Sequence, residues 1–237
     1  MQDEFVVDEP NRRKWNRIKR EFRRVGPLRV LDVFAFRAYY KLFLAGSDRQ
    51  WIGETVEQMK SEYPPLPEDL PRLHTRTPNS SEAEAFIQDL RPDFMIARCK
   101  YILKESIFSI PGFGTFVMHP GVCPEYRNAH GCFWALANGD REKVGLTLLQ
   151  ADKGVDTGPV YGYYRYPFDE TEESHIRIQH RCLIENLARV ADKFREIYAG
   201  KAEVIDTSGR DSQTWGQPWL SKHLAWKYNA RRRSDNE

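Results

Sequence analysis

Apolar and polar positions along this chain repeat with periods that change from segment to segment, and those changes predict the elements. Residues 5–7 form a short apolar run suited to a strand. Residues 11–24 place Trp15, Ile18 and Phe22 at helical spacing among eight basic side chains, which reads as a solvated helix with a narrow apolar stripe. Gly26-Pro27 breaks that pattern. Residues 28–45 are apolar with charged interruptions at Arg29, Asp32, Arg37 and Lys41, which predicts a buried helix rather than a membrane span. Residues 64–71 are a proline-rich loop, and residues 73–77 suit a short strand.

From there helices and strands alternate. Asn79 or Ser80 can cap a helix that runs to Leu90, with Glu82 and Glu84 well placed near its positive end. Residues 94–97 are a continuous apolar run of the kind that fills a buried parallel strand. A short helix over 104–110 and a strand over 115–118 follow. Residues 129–138 predict a helix rich in core aromatics, 145–150 a strand, and 152–159 a loop. Residues 161–166 alternate as a strand, 174–198 carry one long amphipathic helix, and 206–218 are loop-like. Arg231 to Arg233 read as a frayed basic end. This alternation predicts an α/β fold with a mostly parallel sheet and helices on both faces. Ligands in such sheets gather at the carboxyl ends of strands, where Arg98 and His119 both fall.

Composition bounds the function. With 237 residues, 41% hydrophobic, the chain can bury a sizeable core. A net charge of +2 argues against a surface that binds nucleic acid over its whole extent. The acidic start has no long apolar run, so no membrane partner is expected and the cytoplasm is the expected compartment. Cys99, Cys123, Cys132 and Cys182 form no CxxC pair, so free thiols are favoured over a zinc site and no metal is expected.

Two segments carry candidate chemistry: MHPGVCPEYRNAHGCFWALANGD (118–140) and VGLTLLQADKGVDTGPV (144–160). A His at a strand end followed by Pro-Gly sets an imidazole at the rim of a cleft. A glycine-rich loop can return Asp156 to it, and a carboxylate beside an imidazole orients the ring for acid–base work. Spacing alone leaves a structural histidine and a turn-capping aspartate as nearly equal alternatives.

Taken in order, HPG, P-x-Y-R, WAL, G-x-T and D-x-G-x-D-T-G resemble the catalytic domain of the folate-dependent formyltransferases over about residues 77–200. That family includes methionyl-tRNA formyltransferase, glycinamide ribonucleotide formyltransferase and the sugar N-formyltransferases. The resemblance implies a Rossmann-like formyltransferase fold and 10-formyltetrahydrofolate as formyl donor, its formyl carbon attacked by an amine. His119 matches the histidine that stabilises the developing oxyanion, and Asp156 the aspartate that orients that histidine and relays a proton. The folate pocket maps onto Arg98, Cys99, Lys100, Tyr101 and Ile102, and onto Asp152 and Val155. The resemblance also divides the chain into an incomplete Rossmann-like part with the basic helix (1–76), a catalytic core (77–200) and a C-terminal extension (201–237).

The chain departs from the family pattern at two places. The family Asn two residues before the His is Val117 here, which cannot donate to an oxyanion; Asn128 or His130 is a candidate replacement, against the alternative of a turn-capping Asn and a helix-starting His. Residues 5–7 look like the family's second strand, so the expectation is either that the true start lies upstream or that the fold lacks the first strand–helix unit and covers the open sheet position, for example as a homo-oligomer. The residues after Gly200 are too few and strand-poor for an RNA-binding barrel, so a small-molecule amine such as an amino sugar or amino acid is the expected acceptor and tRNA is disfavoured. Glu125, Tyr126, Arg127 and Arg165 are candidate contacts to it. Two other readings stand beside transfer: a 10-formyltetrahydrofolate hydrolase, and a non-catalytic formyltransferase-like binding protein.

Overall fold

The computed structural model describes residues 26–235. The predicted strand at residues 5–7 and the basic helix over 11–24 lie outside the described residues.

Helix α1 (Pro27–Tyr39) begins with Pro at its first turn, where no N–H is needed. It runs through a π-helical turn (Tyr40–Leu44) into α2 (Ala45–Glu62). The expectation of a buried segment here is corrected. Val33 and Phe36 are buried, but Leu28, Leu31, Leu42 and Phe43 face solvent, so one face of α1 has no cover among the described residues. Residues 73–77 join no strand ladder, against expectation. Helix α3 (Ser81–Leu90) starts at Ser80, whose hydroxyl accepts from the Ala83 N–H at 3.1 Å, and stops at Arg91 in a left-handed conformation.

The main sheet contains β1 (Met95–Ile96), β2 (Thr115–Pro120), β4 (Leu146–Gln150) and β5 (Val160–Tyr164) in that spatial order. The α/β class holds, but the expectation of mostly parallel strands does not. β1 and β2 are parallel, whereas β2–β4 and β4–β5 are antiparallel. A loop too short for a crossover reverses the chain between β4 and β5. β1 is an edge among the described residues, and Ile96 is exposed there. A second, two-stranded ladder pairs β3 (Arg127–Asn128) with β6 (Thr214–Trp215).

Alternation along β2 and β4 sorts the two faces. Phe116, Leu146 and Leu148 enter the main core with Phe133, Trp134 and Leu136 of α5 (Gly131–Asn138), which explains why that helix is apolar all round. Thr115, Val117, His119, Thr147 and Leu149 lie on the opposite face. Helix α4 (Glu105–Phe108) sits beside this face, the Thr115 hydroxyl donating to the Phe108 carbonyl at 2.8 Å.

The long helix expected over 174–198 is two, α6 (His175–Ile184) and α7 (Leu187–Tyr198). Buried Asn186 separates them. Its side-chain amide donates to the carbonyls of Arg165 and Cys182, competing with the backbone ladder as such side chains do. The basic end is not frayed either: it completes α8 (Leu220–Ser234). His223, Trp226 and Ala230 are buried at helical spacing, and Arg233 donates to buried Glu170 at 2.9 Å. Lys227 is enclosed by the carbonyls of Glu170, Thr171 and Glu173, and burial lowers its pKa to about 8.

α1 docks on this core through Phe36, whose ring centroid lies 5.6 Å from that of His175 and 5.5 Å from that of His223. His130 stands 6.4 Å from His175. Burial favours the neutral ring, holding His130 and His223 at about 4 and His175 well below its usual value. A depressed histidine pKa gives stability that is complete above about 6.5 and lost as pH falls toward 4, because the unfolded rings take up protons first. Urea melts should therefore show stability falling by on the order of 1 kcal/mol per pH unit between pH 6.5 and 4.5. The His223→Phe variant should reduce that slope and leave the part due to His130 and His175; a wild-type curve flat over this range contradicts the assignment.

Candidate active site

His119 lies near the end of β2, with its ring buried on the face opposite the main core. Its Nε2 is 2.7 Å from the carbonyl oxygen of Tyr126. A carbonyl only accepts, so Nε2 carries the hydrogen and Nδ1 is the nitrogen turned toward Asp156, whose Oδ2 is 3.4 Å away. The two residues are 37 positions apart in sequence and meet at one cleft.

The close approach depends on two glycines. After Pro120 the chain turns so tightly that a Cβ on Gly131 would lie 2.6 Å from the carbonyl oxygens of both Pro120 and Tyr126, and one on Gly121 would lie 2.7 Å from the latter. The turn is bolted to the sheet by Thr147, whose hydroxyl donates to the Gly121 carbonyl at 2.5 Å and accepts from the Cys123 N–H at 3.0 Å. Tyr126 is itself fixed, its ring stacked 5.5 Å from Trp215 and its hydroxyl bonded to Asp140.

Asp156 adopts a left-handed backbone conformation with φ 52°, and its Oδ2 accepts from the backbone N–H of Asn128 at 2.8 Å. Its loop is held by Asp152, which accepts from the Gly154 N–H and the Thr157 hydroxyl. Arg127 donates to the Val155 carbonyl at 3.0 Å, so the two loops flanking the cleft are tied together.

The cleft has a volume of about 460 Å³, within the range of small-molecule sites. Arg98, Cys99, Lys100, Tyr101 and Ile102 line one side, Asp152, Val155 and Asp156 another, and Val117, Leu149 and His119 contribute from the sheet. All ten site residues named from the sequence thus border one cleft, with Asn128 at its rim. Asn79 braces the 98–104 loop, donating to the Ile102 carbonyl at 2.9 Å and accepting from the Lys104 N–H at 2.8 Å.

Other candidates are placed elsewhere. His130 does not line the cleft; its ring packs toward His175. Glu125 accepts from two nitrogens of Arg210, at 3.1 and 2.7 Å, with Lys143 alongside, which lowers its pKa against the effect of burial. Tyr126 is buried, and neither Glu125 nor Arg165 borders the cleft. The side-chain amide of Asn128 donates to the Trp215 carbonyl at 2.6 Å. Val117 shares the face of His119 and pairs in register with Leu149, presenting methyl groups where the family pattern has an amide. All four cysteines are free thiols, and burial pushes Cys123 up to about 12. Among the described residues, no three His, Cys, Asp or Glu side chains are grouped to hold a metal ion. Sequence reasoning missed Trp215 and the Tyr126 carbonyl, and it included Thr147 in the G-x-T motif without giving it a role.

Comparison with known proteins agrees with this architecture. The formyl transferase family model matches residues 44–188, and the chain belongs to that family. It is 30% identical over 116 residues to a methionyl-tRNA formyltransferase of Kosmotoga olearia, covering 48% of this chain and 35% of that protein. A Bacteroides fragilis methionyl-tRNA formyltransferase is 33% identical over 136 residues, covering 54% and 41%. The chain therefore spans well under half the length of these curated relatives. Among solved structures, an uncharacterised Mycobacterium tuberculosis protein thought to be a sugar N-formyltransferase superposes with a TM-score of 0.51 at 16% identity, over 77% of this chain and 82% of that one. At that identity the likeness is one of fold.

The crowding at Gly131 gives a test of how the site is held. Gly131→Ala should cost about 2 kcal/mol or more in chemical denaturation, because backbone rather than a mobile side chain blocks the new methyl. Gly53→Ala, in an uncrowded turn of α2, should be neutral or stabilising. Equal effects at both positions contradict the packing described.

Proposed function

We propose that this protein transfers a formyl group from 10-formyltetrahydrofolate to the primary amine of a small molecule. The observation that carries the reading is the meeting of His119 and Asp156, at 3.4 Å, on the wall of one cleft. Family membership supports it. Residues 98–102 and 152–155 border the cleft, and Val117 and Leu149 add apolar surface to it, a lining suited to a flat heterocycle with polar edges.

The donor supplies an electrophilic formyl carbon when bound. His119 holds a proton on Nε2 against the Tyr126 carbonyl, so the ring keeps one orientation and presents its Nδ1 edge to Asp156 and the cleft. Asp156, fixed by the Asn128 N–H, is the base positioned to take the proton that the attacking amine loses. Asn128 acts chiefly by positioning: its backbone holds Asp156, and one amide hydrogen is committed to Trp215. Val117 leaves the oxyanion side of the site without a side-chain donor from β2, which predicts slow transfer.

Two of the relatives named above are methionyl-tRNA formyltransferases, so methionyl-tRNA is a necessary arm of the test.

The assay follows tetrahydrofolate released from 10-formyltetrahydrofolate, alone, with an amine library including amino sugars, and with methionyl-tRNA. Release that depends on a small amine is expected. Amine-independent release identifies a hydrolase, and tRNA-dependent release overturns the acceptor assignment. His119→Ala and Asp156→Asn should each lower the rate by on the order of a hundredfold to ten-thousandfold with the fold intact. Val117→Asn should raise it about tenfold or more by restoring a donor; a lower rate means the oxyanion is stabilised from elsewhere.

A further inference from the structure

Two acceptors compete for the single N–H hydrogen of the neutral His119 ring. The Tyr126 carbonyl oxygen lies 2.7 Å from Nε2, and Oδ2 of Asp156 lies 3.4 Å from Nδ1. A carboxylate is the stronger acceptor, so at equal distances the hydrogen would sit on Nδ1. The carbonyl wins on distance, because 2.7 Å is a short hydrogen bond and 3.4 Å lies beyond the usual range. Which nitrogen carries the hydrogen therefore depends on what keeps the Tyr126 carbonyl in place.

A segment near the C-terminus grips the loop that carries this carbonyl. The Tyr126 ring is stacked on Trp215, centroids 5.5 Å apart at 12°, and Trp215 is stacked in turn on Trp134 of α5 at 4.8 Å. The indole Nε1 of Trp215 donates to the Glu125 carbonyl at 2.8 Å, and the Trp215 carbonyl accepts from the Asn128 side-chain amide at 2.6 Å. Gln213 adds two more ties: its N–H donates to the Pro124 carbonyl and its carbonyl accepts from the Arg127 N–H, each at 3.1 Å. Every residue from Pro124 to Asn128 is thus bonded to or stacked on Gln213 or Trp215. Both lie outside the stretch that matches the family model, residues 44–188, and neither borders the cleft.

We infer that Trp215 is a positioning residue that sets the His119 tautomer, keeping the hydrogen on Nε2 and the Nδ1 lone pair toward Asp156. Without the stacked indole the Tyr126 carbonyl is free to withdraw, and the hydrogen moves to Nδ1, where the carboxylate accepts it. The consequence for catalysis rests on the proposed formyl transfer: a carboxylate that already accepts from Nδ1 is a weaker base for the proton of the attacking amine. The tautomer itself is a property of the free protein.

Long-range proton–nitrogen NMR correlation spectra of the isotope-labelled full chain read which ring nitrogen carries the hydrogen, at a pH well above the usual imidazole value of about 6.5. The His119→Gln spectrum identifies the signals. The wild type should show His119 as the Nε2–H form alone. Trp215→Ala should lose that single signature and show the Nδ1–H form, and Trp215→Phe, which keeps a ring to stack, should restore it. Trp215→Leu keeps apolar bulk without a stacking ring, so it should behave as the alanine variant does and carries the test if that variant does not fold. In the tetrahydrofolate-release assay Trp215→Ala should lower kcat about tenfold to a hundredfold with KM for 10-formyltetrahydrofolate unchanged.

A wild-type ring with its hydrogen on Nδ1 overturns the assignment. So does a folded alanine or leucine variant with the wild-type tautomer, or a phenylalanine variant no closer to wild type than alanine. A wild-type protein that releases no tetrahydrofolate contradicts formyl transfer instead, and the spectra still decide the role of Trp215.

Discussion

The His119 ring is held by the hydrogen bond from its Nε2 to the Tyr126 carbonyl, with the Asp156 carboxylate 3.4 Å from Nδ1, and most of the site's architecture serves that arrangement. The carbonyl reaches the ring because the chain after β2 closes a turn over two glycines, with no room for a side chain. The carboxylate reaches it because the loop after β4 places Asp156 in a left-handed conformation under the Asn128 N–H. Each contact is supported from the sheet or from the C-terminal residues, through Thr147 and Trp215. β6 is therefore part of the site's scaffold, although it touches neither His119 nor Asp156.

Much of the candidate site was legible in the sequence through the family resemblance, whereas local chemistry alone only marked His119 and Asp156 as candidates. A histidine at a strand end and an aspartate in a glycine-rich loop are short-range signals, and both segments obey turn rules. Longer-range facts were hidden. Antiparallel pairing of β4 with both neighbours depends on strand direction, which an apolar run does not encode. Asn186 looks like any polar position on an amphipathic helix until two carbonyls are found at its amide. The arginines ending α8 read as tail because charge masks the buried stripe of His223, Trp226 and Ala230 beneath.

The exposed stripe on α1 reverses that lesson. Its sequence predicts burial, yet among the described residues nothing lies over it, while its inner face holds Phe36 between two neutral histidines. Membership of the formyl transferase family accounts for the core from β1 to α6.

His119 and Asp156 border one cleft, and we propose that it takes a reduced folate. A crystal structure of the protein grown with tetrahydrofolate tests it most directly. The account predicts pterin density between the 98–102 and 152–155 backbones, with His119 and Asp156 at its reacting end. Folate bound elsewhere, or a cleft empty at saturating folate, would contradict it.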